Sequence, residues 1–361
     1  MILMQWKADS AKTHKWYQQP LAGCVSSTGK PYRITLKKGT VNRLLVNFVG
    51  GGFSWNEETA ANPLTIGAML RGKDGFYISD IPSALLNLGH VGFFSANDKR
   101  NPFHDWYIMN IPYTSGDFHI GNNTYHYQNA KAENKVLYHH GQKNVTAALA
   151  VLETFFCQTP EVLMIMGQSA GGVGCVAHCP QIQSLYPMCN HVIVYSEGTH
   201  FHSLLYTKIA KDVWMANSDL MAYITSDDLM IDLFRRAQEK MPSSTLFLHS
   251  NTVWDGMIVK YMNKLNRDDF SVSPQALHEF HDTLLHTVRN LKEKISNYFY
   301  YLTDYGKNQK NGTTPHIFAG TPKLIYSEMQ DGVSIADWLC HAIESKPKDV
   351  GINFIESCYG E

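Results

Sequence analysis

Charge is scarce in this chain and evenly balanced. Lys and Arg number 31 against 32 Asp and Glu, together 17% of 361 residues, for a formal net charge of −1. Recruitment to a phosphate backbone or an anionic lipid surface needs a basic patch, so this balance gives no ground for a nucleic-acid partner. No apolar run approaches the ~20 residues of a membrane-spanning helix, and residues 1–7 lack the long apolar segment of a signal peptide. The seven cysteines, at 24, 157, 175, 179, 189, 340 and 358, are odd in number and contain no CxxC pair. That excludes a regular disulfide framework and the usual zinc spacings, and Cys175 and Cys179, four apart on one helix face, read as packing. Neither a GxxxxGK[ST] loop nor a complete GxGxxG is present, which removes the common phosphate cradles.

What is present is an ordinary globular composition, 44% hydrophobic with 17 Phe, 19 Tyr and 7 Trp, enough for a large core. Residues 31–36 and 43–49 read as β segments around a Lys-Lys-Gly-Thr turn, and 106–111 as another strand ending at Pro112. Residues 54–80 read as an irregular excursion, and the Gly/Asn/Thr/His-rich stretch 113–127 as a long surface loop. Further strands fall at 162–166, 191–195, 245–249 and 298–302, with helices at 143–156, 274–297 and 333–340. Residues 200–241 read as mainly helical, a possible cap insertion. Strands alternating with helices predict one α/β domain over 1–361: a mostly parallel central sheet with helices on both faces and a small helical cap.

The most informative run is Met164-Ile165-Met166-Gly167-Gln168-Ser169-Ala170-Gly171-Gly172. It reads as a buried strand ending in Gly-x-Ser-x-Gly, the nucleophile elbow of an α/β-hydrolase, which holds one serine hydroxyl at the sheet's C-terminal edge. A serine needs a histidine base, and the base an orienting carboxylate. In this fold the chain order is Ser, acid, His. Asp255 follows the strand at 245–249, and His316 lies in a loop after the last strand. Donors for an oxyanion are expected from the backbone after the nucleophile, Ala170, and from the glycine loop Gly50-Gly51-Gly52-Phe53 after the 43–49 strand.

These residues resemble the pectin acetylesterase and Notum group of serine carboxylesterases. The resemblance is carried by residues 45–56, which include the glycine loop, and by the runs Asn101-Pro102-Phe103-His104-Asp105-Trp106 and Pro112-Tyr113-Thr114-Ser115-Gly116-Asp117-Phe118-His119. The elbow and Asn251-Thr252-Val253-Trp254-Asp255 with His316 complete it, in family order. It implies Ser169 as nucleophile, His316 as base, Asp255 as orienter, and Gly51, Gly52, Phe53 and Ala170 around the oxyanion. It also implies a short acyl group, acetyl foremost, on a small-molecule or saccharide ester. Phe53 and Ser54 stand where the family often has Trp and Cys, and Ser196-Glu197-Gly198 replaces an Asp-containing turn. These departures leave the substrate open, and pectin does not follow from the resemblance.

A lipid or acyl-protein deacylase with a deep apolar pocket is the alternative on the same fold, and a non-catalytic binding protein the alternative of another class. The chemistry calls for no metal or organic cofactor. The pairs His139-His140 and His200-Phe201-His202 lack acidic partners at ligand spacing and read as ordinary polar residues. Asp117 and His119 either line the cleft or tie down their loop, and His178 reads as a satisfied core histidine. The missing signal and the lost loop cysteine lean towards the cytoplasm, with secretion the alternative if a signal peptide has been removed.

Overall fold

The computed structural model describes residues 3–69 and 71–356; Cys358 lies outside them. Eight strands form one sheet: β1 (Trp16–Val25), β2 (Pro31–Lys37), β3 (Arg43–Phe48), β4 (Tyr107–Ile111), β7 (Val162–Gln168), β8 (Val192–Glu197), β9 (Leu246–Thr252) and β10 (Tyr298–Thr303). Their order is β1-β2-β4-β3-β7-β8-β9-β10. The β1–β2 and β2–β4 pairs are antiparallel, and every pair from β4 to β10 is parallel. The mostly parallel sheet expected from the sequence is what the chain forms.

The reason lies in the strands' composition. All seven residues of β7 and all six of β8 are buried, as parallel strands covered on both faces must be. The period of two divides β7 cleanly. Leu163 and Ile165 enter one core cluster, while Val162, Met164 and Met166 enter the other. On the first face lie α1 (Gly141–Phe155), α2 (Ala170–Ser184), α3 (Leu229–Lys240), α4 (Gly256–Arg267) and α5 (Pro274–Lys294). On the second lie α6 (Ile335–Ile343) and the irregular segment that carries Phe93, Phe103 and Trp106. Burial of each large side chain here is worth about 1.5–3 kcal/mol.

Three regions differ from expectation. Residues 113–121 are buried throughout, not a surface loop. Asp117 accounts for this: Oδ1 accepts the Ser115 hydroxyl at 2.6 Å and the His119 N–H at 3.0 Å, and Oδ2 accepts the Gly141 N–H at 2.8 Å. Residues that follow form an antiparallel hairpin, β5 (Asn123–Gln128) with β6 (Asn134–His139). Strand β1 is an edge strand interrupted after Pro20, and proline is tolerated at such an edge. Within 200–241, only α3 is a full helix. It packs on α2, where the buried Arg236 Nη1 donates to the Ala177 carbonyl at 2.8 Å.

Candidate active site

The sheet register brings the C-terminal ends of β3, β7, β8 and β9 to one edge: Phe48 pairs with Gly167, Gly167 with Ser196, and Ser196 with His249. Ser169 sits just past β7 with φ +54° and ψ −127°, a sparsely populated conformation for a non-glycine residue that costs of order 1–3 kcal/mol. Its surroundings enforce it. A methyl group at Gly167 would lie 2.0 Å from the Gly171 carbonyl oxygen, and one at Gly171 would lie 2.0 Å from that of Phe48. The Ser169 N–H donates to the Glu197 carbonyl at 2.7 Å, tying the elbow to β8.

Asp255 and His316 are brought together. His316 Nδ1 lies 2.5 Å from Asp255 Oδ2. The other carboxylate oxygen accepts the N–H groups of Met257 at 2.9 Å and Ile258 at 3.0 Å, so Asp255 is also the N-cap of α4. The loop that carries His316 is pinned to the end of β9, because Thr314 N–H donates to the Trp254 carbonyl at 2.9 Å and Thr252 Oγ1 to the Pro315 carbonyl at 2.8 Å. Burial works against a charged imidazole, but Asp255, through its charge and hydrogen bond, and the charge of Glu197 outweigh it. His316 therefore titrates above the ordinary histidine range. Among the described residues no hydrogen bond joins Ser169 Oγ to His316; both line one cavity of about 340 Å³.

That cavity is apolar in most of its wall, with Leu64, Ile78, Phe94, Phe118, Phe201 and Ile317 among its residues. The glycine loop forms one side, and residues 75–78 return to brace it: the Ile78 N–H donates to the Gly51 carbonyl at 2.8 Å. The Phe53 N–H donates to the Phe76 carbonyl at 2.8 Å and is occupied, and Phe53 lines the cavity. Gly51 and Gly52 also lie on the cavity wall, and Ala170 is the first residue of α2, where an N–H has no intrahelical acceptor.

Several supporting residues escaped the sequence reading. Gln168 Nε2 donates to Asn47 Oδ1 at 2.8 Å, and Asn47 Nδ2 to Asn110 Oδ1 at 2.5 Å. This buried amide chain runs across β7, β3 and β4 and starts from Gln168, the residue before Ser169. In the strand pattern its members are polar residues among apolar ones, which is the signal that could have found them. His119, left open between two roles, ties down its surroundings: burial pushes its pKa down to about 3, and its neutral ring donates from Nε2 to the Val49 carbonyl at 3.0 Å. His178 Nε2 donates to the His119 carbonyl at 2.9 Å, completing that support.

The histidine pairs weighed as metal ligands have other partners: His139 Nδ1 donates to the Ser115 carbonyl, His140 bonds Thr124 and His200 bonds Thr283. Elsewhere, at the opposite edge of the sheet, the ligand atoms of His14, His104 and Asp105 lie within 4.8 Å of one another. Both rings there hydrogen-bond the same carboxylate oxygen, at 2.8 and 3.0 Å. No helix among the described residues is long and apolar enough to cross a membrane, and the expectation of a cytoplasmic location finds no support.

Comparison with known proteins gives two results. The fold matches two crystal forms of the Wnt deacylase Notum from Drosophila. One has a TM-score of 0.62 at 16% identity, covering 91% of this chain and 92% of the other. The second has 0.61 at 14%, covering 91% and 93%. At this identity the likeness is one of fold. The Pectinacetylesterase family profile matches residues 22–228, more than half of the chain, and the chain belongs to that family of ester hydrolases.

Proposed function

We propose that this protein is a serine carboxylesterase in which Ser169, His316 and Asp255 form the catalytic triad. The observation that carries the reading is the 2.5 Å contact between His316 Nδ1 and Asp255 Oδ2 at the mouth of the cavity that Ser169 also lines. In the scheme, the carboxylate keeps the Nδ1 proton in place, leaving Nε2 free to take the proton of Ser169 as its oxygen attacks the ester carbonyl. The developing oxyanion is met by backbone N–H groups of Ala170 and of Gly51 or Gly52. His316 then protonates the leaving alcohol, and a water activated by the same nitrogen cleaves the acyl-enzyme. An unpaired hydroxyl is a weak nucleophile, so a merely binding role has no use for this ordered set.

The acyl group divides two readings. Family membership supports acetyl, on a small or saccharide alcohol. The apolar cavity supports the longer-chain deacylase, since an acetyl group would leave most of its 340 Å³ unfilled. Geometry favours the second. Hydrolysis of p-nitrophenyl esters from acetyl to decanoyl, by wild type and by Ser169→Ala, tests both points. Loss of all turnover in the variant is expected, and an optimum beyond butyryl supports the longer-chain reading. An acetyl optimum returns the assignment to a short-chain esterase, and turnover by Ser169→Ala removes the serine mechanism.

A further inference from the structure

Glu197, at the end of β8, is a fully buried carboxyl that the scheme above does not use. Its oxygens accept the N–H of Phe318 at 2.5 Å and that of Ala319 at 3.1 and 3.3 Å. These two residues follow His316 and Ile317 directly, so the carboxyl clamps the loop that presents the base. The backbone carbonyl of the same residue holds the Ser169 N–H at 2.7 Å. Gly198, next in the chain, has φ +62° and donates its N–H to the Ser250 carbonyl at 2.8 Å. A methyl group there would lie 2.9 Å from the His316 carbonyl oxygen and 3.4 Å from its Cε1, so the histidine packs against this corner. One dipeptide therefore touches the nucleophile's backbone, the base, and the loop beyond it.

A buried ionisable carboxyl is expensive where a neutral acceptor could receive the same amides. The charge has a use beside a base that becomes cationic during acyl transfer. We propose that Glu197 is a positioning residue for His316: its carboxylate fixes the His316 loop against the nucleophile strand, and its charge joins that of Asp255 in stabilising the imidazolium. The inference rests on the triad reading above. The groups that act electrostatically on His316 are Asp255, from the end of β9, and Glu197, from the end of β8. Burial pushes the Glu197 pKa up to about 7, against the pull of the Phe318 and Ala319 amides and of His316, so its charge is present above that pH, where a neutral His316 acts as base.

Glu197→Gln removes the charge and keeps the volume. The expected result is a kcat at least tenfold lower with KM within twofold, and an acidic limb of kcat/KM displaced to lower pH, because the imidazolium loses one of two anions. A purely structural role would lower the melting temperature and leave that limb in place. Glu197→Asp keeps the charge but falls short of the loop amides; it should lose kcat with the limb near its wild-type position. A Gln variant with kcat within twofold of wild type, or with an unmoved limb, overturns the proposal. Should the Gln variant not fold, a kcat within twofold for the Asp variant overturns it equally. Fluorophosphonate labelling of wild type and of Ser169→Ala, run in parallel, keeps the two readings apart. Labelled Ser169 with an indifferent Glu197→Gln sinks only the Glu197 role, whereas an unlabelled wild type sinks the triad.

Discussion

Asp255→Asn separates two jobs that one side chain performs. Its Oδ1 caps α4 by accepting two backbone N–H groups at 2.9 and 3.0 Å, and its Oδ2 meets His316 Nδ1 at 2.5 Å. Asparagine is as good an N-cap as aspartate, and it loses only the interaction of the charge with the helix dipole, about 0.3–1 kcal/mol. A melting-temperature drop of about 2–4 °C or less follows for a domain of this size. The other face fares differently. An amide nitrogen turned towards Nδ1 donates to it, so the imidazole proton moves to Nε2, the atom that must receive the proton of Ser169. Loss of the correct tautomer costs about 10⁴ in kcat, or about 5 kcal/mol of transition-state stabilisation. Asp255→Ala should lose comparable activity and a further 0.5–2 kcal/mol of stability, roughly, with the cap gone. Ester hydrolysis and thermal unfolding on the three proteins give the comparison. An Asn variant within tenfold of wild-type kcat would refute the orienting role, and one whose melting temperature falls far more than that of the Ala variant would refute the capping argument.

Other consequences follow from the same geometry. Each methylene added to the acyl chain should raise kcat/KM about fourfold while the cavity fills, at about 0.8 kcal/mol per buried CH₂; Val91→Trp, on the cavity wall, should shorten the optimum in a p-nitrophenyl ester series without loss of acetyl turnover. Since His316 must be neutral to act as base and its pKa is raised, kcat/KM should fall as pH drops through a value above the ordinary histidine range, and a limb below that range would contradict the assignment. Gly171→Ala sets a methyl 2.0 Å from the Phe48 carbonyl oxygen, so activity should vanish and folding stability should fall by roughly 1–3 kcal/mol or more, read by thermal unfolding followed by circular dichroism.

The elbow was legible because every constraint on it is local. The apolar run before Ser169, and the glycines that leave room for the Gly171 and Phe48 carbonyls, all stand within a few residues of one another or of a recognisable strand. Asp255 and His316 were legible through order along the chain, since each follows a strand that could be read by its composition. What could not be read was set by distant contacts. Asp117 buries its loop by accepting the N–H of Gly141, 24 residues on, and no local periodicity carries that. The excursion through Phe76 comes back to occupy the Phe53 N–H, a contact that no residue near the glycine loop signals. Hairpin strand β5, Asn-Thr-Tyr-His-Tyr-Gln, sets only Tyr125 and Tyr127 against the core, and the polar residues around them hid it. Glu197 stood out only as a departure after β8; its partners Phe318 and Ala319 lie more than 120 residues away.

Every proposed step depends on activation of the Ser169 hydroxyl by His316. Reaction with a fluorophosphonate, followed by intact mass and peptide mapping, tests it most directly. A single adduct on Ser169 is expected, with a labelling rate that falls as His316 becomes protonated and little or no labelling in His316→Ala. An unlabelled wild type, or an adduct on another residue, would contradict it.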